Sequence, residues 1–68
     1  MTADDFEPAR YAIEGEVLYV PVVWPDDSQW FVPAKVLVAA GNHARMVNER
    51  RILDRWYRVD DLLRKKKP

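Results

Sequence analysis

Few residues in this chain carry acid–base or nucleophilic chemistry: its 68 residues hold one histidine (His43), one serine (Ser28), one threonine (Thr2) and no cysteine. A Ser–His–acid relay needs the nucleophile within hydrogen-bond reach of its base. Ser28 and His43 fall in different turns of the sequence, so only coincidence would join them. The doublets Asp26-Asp27 and Asp60-Asp61 could join His43 around a metal, but no spacing among them fixes ligands on one face. They read as acids of a turn and of a helix surface. Hydrolysis by paired carboxylates needs a cleft of ~300 Å³ or more, for which so short a chain has little room. Gly15 and Gly41 lie too far apart to form a phosphate-cradling loop. The sequence therefore predicts a non-enzyme, with no catalytic residue, no metal and no cofactor.

Binding chemistry is better represented. Three Trp, three Tyr and two Phe are many aromatics for 68 residues, and Trp, Tyr and Arg dominate the energetics of protein interfaces. Trp24, Trp30, Phe31 and Tyr57 are the candidate residues for binding a protein or peptide. The competing reading makes Trp24, Trp30 and Trp56 core fillers, because a small domain needs its largest side chains to build a core. A second candidate surface is basic: Arg45, Arg50, Arg51, Arg55, Arg58, Arg64, Lys65, Lys66 and Lys67 interleave with Trp56 and Tyr57, a pattern that suits phosphate contacts with nucleic acid. Asp54, Asp60 and Asp61 interrupt it, and the isoelectric point near 6.6 is far below the ~9 of a dedicated nucleic-acid binder.

Composition bounds the remaining classes. At 49% hydrophobic residues the chain is too apolar to be disordered, and its apolar runs are too short to cross a membrane at roughly 20 residues. No basic, then apolar, leader opens it, and without cysteine it has neither disulfides nor a thiolate zinc site. A reducing cytoplasm is the expected location. The formal net charge of zero conceals a division. Residues 1–34 hold seven acids against Arg10 alone, a net −6, and residues 35–68 hold ten bases and four acids, a net +6. The halves either neutralise each other or face separate partners.

One domain must position these groups. Residues 1–10 read as a loose acidic leader anchored at Phe6. Residues 16–24 are rich in β-branched and aromatic types, with Pro21 marking an edge or a bulge. Trp24-Pro25-Asp26-Asp27-Ser28 reads as a tight turn. Residues 29–40 alternate as a half-covered strand, again with a proline, Pro33. Gly41-Asn42 is a two-residue hairpin signal leading into a strand near 43–48. Residues 16–48 are thus a three-stranded antiparallel β-meander. Over residues 49–65, Ile52, Trp56, Val59 and Leu63 recur at helical spacing. Asp54/Arg58, Asp60/Arg64 and Asp61/Lys65 are acid-before-base pairs at i, i+4, and residues 65–68 form a basic tail. The predicted fold class is α+β, a meander with a C-terminal helix.

Residues 20–63 resemble the Tudor-type SH3-like barrel through Trp24, Asp26-Asp27, Phe31-Val32-Pro33-Ala34-Lys35-Val36 and Val59-Asp60-Asp61-Leu62-Leu63. The string from Trp30 to Leu37 is also similar to a strand of retroviral integrase C-terminal domains, which are SH3-like DNA binders. That family has a Gly-rich turn where this chain has Glu49-Arg50-Arg51-Ile52-Leu53-Asp54, which reads as helix, so a small SH3-like β-barrel is the alternative fold. The resemblance implies a module whose aromatic groove takes methylated side chains or peptides by cation–π attraction, with Trp24, Phe31 and Tyr57 as candidate walls. Taken together, the sequence predicts a small interaction module that binds and regulates another protein, or pairs with itself as a homodimer. A nucleic-acid-binding domain is the alternative, and no membrane is involved.

Overall fold

A computed structural model describes residues 5–66. Six strands, β1 (Phe6–Pro8), β2 (Val17–Val23), β3 (Gln29–Ala40), β4 (His43–Asn48), β5 (Leu53–Arg58) and β6 (Leu63–Lys65), make one sheet in the order β1-β6-β2-β3-β4-β5. Every pairing is antiparallel. The expected meander is present as β2, β3 and β4, and it continues into β5.

The pleat explains which side chains enter the core. In β2, Leu18 and Val20 are buried; in β3, Ala34 lies opposite Leu18, and Val36, two residues on along the same face, is buried too. Leu37 is an extra residue on β3, because Val36 pairs with Met46 and Val38 with Arg45. This bulge reverses the parity of the strand, so that Ala39 meets Ala44 and rejoins the core face. Val59, from a 3₁₀ turn at Val59–Asp61, Leu62, the extended residue that follows it, and Ala9, from the β1–β2 connection, complete the cluster. Among the described residues no α-helix covers this face; the cluster draws on β2, β3 and β4 together, so the sheet curls over it. The other face carries a smaller aromatic cluster. Phe6, only 5% exposed, meets Tyr19 and Phe31 edge-on at ring separations of 4.9 and 4.6 Å. Phe6 anchors the leader as expected, but residues 6–8 are paired strand rather than loose chain.

Both prolines sit where the ladder is one-sided. Pro21 lies beyond the single β2–β6 pair, Tyr19 with Leu63, and Pro33 lies beyond the last β3–β4 pair, Lys35 with Val47. Their missing N–H groups therefore leave no partner unsatisfied. Gly41 alone of the Gly41-Asn42 pair has positive φ, at 59°, the pattern of a type II′ turn.

The C-terminal helix is not formed. Residues 49–65 fold instead as a 3₁₀ turn (Glu49–Arg51), β5, a second 3₁₀ turn and β6. Of the predicted helical stripe, Ile52 is 94% and Trp56 54% exposed, whereas Val59 and the off-stripe Leu62 are buried. The presumed helical ion pairs also go elsewhere: Asp54 meets Arg45 on the neighbouring strand and Arg64 meets Glu16. Local spacing was outweighed by the backbone of β4, whose second edge is satisfied by six register pairs with β5, from His43↔Arg58 to Asn48↔Leu53. The α+β expectation is therefore corrected to an almost purely β domain.

The charge division is physically joined. Glu7 lies opposite Arg64 in the β1–β6 ladder. The Arg64 guanidinium donates to both Glu16 carboxylate oxygens, at 2.7 and 2.9 Å, and to the Tyr11 carbonyl at 3.0 Å, while lying 4.3 Å from the centre of the Tyr11 ring. Glu16 Oε1 also accepts from the Ile13 amide at 2.8 Å. Arginine 64 thus clamps the β1–β2 connection onto β6.

Candidate functional site

The β2–β3 turn is tightly specified. The Trp24 amide donates to the Ser28 carbonyl and the Asp27 amide to the Trp24 carbonyl, both at 2.9 Å, with Asp27 at φ 67°. This is a three-residue loop ending in a left-handed position, and Pro25 supplies the fixed φ its first corner prefers. Asp26 Oδ1 accepts from the Ser28 hydroxyl at 2.6 Å and from its amide at 3.0 Å. The Ser28 hydroxyl, followed by the Ser28 amide, holds the Asp26 carboxyl below its ordinary range. Asp26 therefore stays an acceptor.

On this rigid turn Trp24 and Trp30 are 45% and 61% exposed. Facing them is Arg51, from the 3₁₀ turn between β4 and β5. Asn48 fixes that turn twice: its Oδ1 accepts from the Arg51 amide at 3.2 Å and its Nδ2 donates to the Pro33 carbonyl at 2.6 Å. Trp24, Pro25, Asp26, Ser28, Trp30 and Arg51 line a groove of about 560 Å³, which corrects the expectation that so short a chain has little room for a cleft of that order. Trp30 and Ser28 also line a shallower hollow of about 350 Å³ with Gln29 and Phe31. Two indoles, a guanidinium without an ion pair among the described residues and a turn carboxylate thus meet at one rim. The site offers apolar area, stacking and one charge of each sign.

Of the residues expected to bind a protein, the fold brings Trp24 and Trp30 together. Phe31 adjoins Trp30 but points its ring at Phe6, and Tyr57 packs against the core. The three-walled cage implied by the resemblance is not assembled from Trp24, Phe31 and Tyr57. Arg51, first grouped with the basic segment, is the wall that sequence reasoning did not connect with the tryptophans. Its placement depends on the β3–β4–β5 ladder and has no local signal.

The basic residues are dispersed. Arg45 makes a two-pronged pair with Asp54 at 2.7 Å for both bonds, and Arg64 is spent on Glu16. Arg55 and Arg58 stand on opposite faces of β5 by strand parity, and Arg50 borders a different groove with Val17, Lys35 and Leu37. Lys65 and Lys66 are exposed at the end of the described chain, and Lys67 lies outside it. No continuous basic stripe forms from the described members of this set.

Catalytic constellations fare no better. Ser28 precedes the first residue of β3, and His43 pairs with Ala40, its last. The two therefore lie at opposite ends of a 12-residue strand. Among the described residues no three His, Asp or Glu side chains converge as a metal site, and no helix is long and apolar enough to cross a membrane. No protein family, characterised protein or solved structure matches the chain.

Proposed function

We propose that this domain is a non-enzymatic interaction module that binds another protein by receiving an extended segment in the Trp24–Trp30–Arg51 groove, and regulates that protein by occupying its surface. The observation that carries the reading is the exposure of two tryptophans on a turn held by four hydrogen bonds. Such apolar exposure has no role in the domain's own core, whereas aromatic and Arg side chains in a preformed hollow are what binding surfaces concentrate. The rigid turn also lowers the ordering cost of association. The connectivity supports the SH3-like resemblance: four consecutive antiparallel strands, a 3₁₀ turn, and a strand returning to the first of them. The cysteine-free composition suits a cytoplasmic location.

The test is selection from a random peptide library against the intact chain. Selected peptides should bind at micromolar Kd and lose at least about tenfold in affinity on Trp24→Ala or Trp30→Ala. Peptides indifferent to both substitutions would refute the groove. A salt-sensitive gel shift with DNA or RNA, reduced by Arg50→Glu or Arg55→Glu, would replace this reading with the nucleic-acid one.

A further inference from the structure

The sheet has two outer strands. One, β1, is three residues long; the other, β5, is six residues long and pairs only with β4. The outward N–H and C=O groups of β5 make no backbone hydrogen bond among the described residues. Such an edge invites pairing with another strand, and its sequence, Leu53-Asp54-Arg55-Trp56-Tyr57-Arg58, decides which.

We propose that β5 is a self-complementary edge at which two copies of the chain pair antiparallel about a two-fold axis through Trp56. In an antiparallel pair of identical strands, residues whose outward amides alternate in step must face each other, which allows registers centred on Arg55, Trp56 or Tyr57 but none between them. Centring on Arg55 opposes two guanidinium groups, and centring on Tyr57 leaves only Trp56 facing Arg58 within the strand, because Asp54 and Arg55 then run past the end of β5 against the 3₁₀ turn at Val59–Asp61. Centring on Trp56 sets Asp54 against Arg58 of the second copy, twice by symmetry. It also sets Trp56 against its own copy and Arg55 against Tyr57. Charge pairs, an aromatic pair and an Arg–aromatic pair are the cross-strand neighbours that stabilise sheets.

The monomer leaves these groups ready. Arg58 has no ion pair among the described residues, and Trp56 is 54% exposed on the same face as Asp54 and Arg58. Asp54 already accepts from Arg45 through both oxygens, and a carboxylate has acceptor sites left for a second cation. The charges act as a register filter: among these registers only the one centred on Trp56 gives both ends an opposite-charge pair. This edge is separate from the Trp24–Trp30–Arg51 groove and does not depend on it.

Sedimentation of the full chain from about 1 μM to 1 mM tests the pairing. The expected result is a shift from 8.0 kDa to twice that mass. Arg58→Asp and Asp54→Arg should each weaken self-association about 10- to 100-fold, since each places like charges opposite at both ends. Mixing the two variants should restore a heterodimer, because all facing pairs are then opposite in sign. Trp24→Ala should leave the dimer intact, which separates failure here from failure of the groove. Should either charge variant fail to fold, amide exchange of the unaltered protein decides: residues 53–58 must gain protection as concentration rises. A monomer throughout the range, a dimer insensitive to both reversals, no heterodimer on mixing, or concentration-dependent protection confined elsewhere would each overturn the proposal.

Discussion

Replacing Ile52 should stabilise the domain, although Ile52 is a large apolar residue in a protein with a small core. Ile52 follows the 3₁₀ turn at Glu49–Arg51 with φ 52° and ψ 43°, in the left-handed region. A side chain with a Cβ costs about 1–2 kcal/mol there, and β-branching places Ile at the unfavourable end. Its side chain returns nothing for this strain, because the residue is 94% exposed. Asn tolerates the left-handed region through local hydrogen bonding, so Ile52→Asn should recover about 1 kcal/mol. Ile52→Gly relieves the same strain but loosens the unfolded chain by about 0.5–1 kcal/mol, leaving a smaller net gain. Urea unfolding at one fixed protein concentration measures both: the midpoint should rise with an unchanged slope, and the melting temperature should rise by about 4–8 °C for Asn. A lower midpoint for Ile52→Asn would show that the left-handed backbone at this position costs the fold nothing that asparagine can relieve, or that the Ile side chain makes a stabilising contact outweighing its backbone strain.

Three further outcomes follow from the described contacts. Hydrogen bonding by Arg64 is the largest influence holding the Glu16 carboxyl below its ordinary 4.5, so the folded state takes up that proton less readily than the unfolded chain. The stabilisation is complete above the unfolded value and drains away as pH falls from about 5 through the folded value; Glu16→Gln should remove that part of the pH dependence at a cost of about 1–3 kcal/mol near neutral pH, read as urea midpoints against pH. Leu62→Ala deletes a side chain with 0% exposure and should cost about 2–5 kcal/mol, enough to unfold much of so small a domain at 37 °C by circular dichroism. Trp30→Ser, at 61% exposure, should change stability by less than about 0.5 kcal/mol, so that any loss of peptide binding measured by titration belongs to the groove itself.

The meander was legible because each of its pairings joins neighbours in sequence. Trp24-Pro25-Asp26-Asp27-Ser28 and Gly41-Asn42 encode their own turns, and the alternation in β2 places Leu18 and Val20 on one face. The last third was not legible, because Ile52, Trp56, Val59 and Leu63 satisfy a helical period although they fall on two short strands and the turns beside them. The choice was made by unpaired backbone on β4 and by Tyr19, which receives Leu63 from the far end of the chain. Neither has a signature within a local window. The turn at residues 49–52 was obscured further because its left-handed position holds isoleucine, where glycine or asparagine would have announced it. In the site, Trp24 and Trp30 were foreseeable as a pair on one hairpin, but Arg51 joins them only once β3, β4 and β5 are in register.

The single β2–β6 pair, Tyr19 with Leu63, has a consequence for how the chain acquires its structure. Hairpins β2–β3, β3–β4 and β4–β5 close short loops and should form early, whereas β6 must close a loop spanning most of the domain before β1 has any strand to join. On this topology β1 and β6 should dock last and together, with the Arg64–Glu16 clamp forming after the folding barrier. Weakening that clamp should leave the folding rate almost untouched and appear as faster unfolding, so the domain's lifetime is set at its two ends while its assembly is set in the middle.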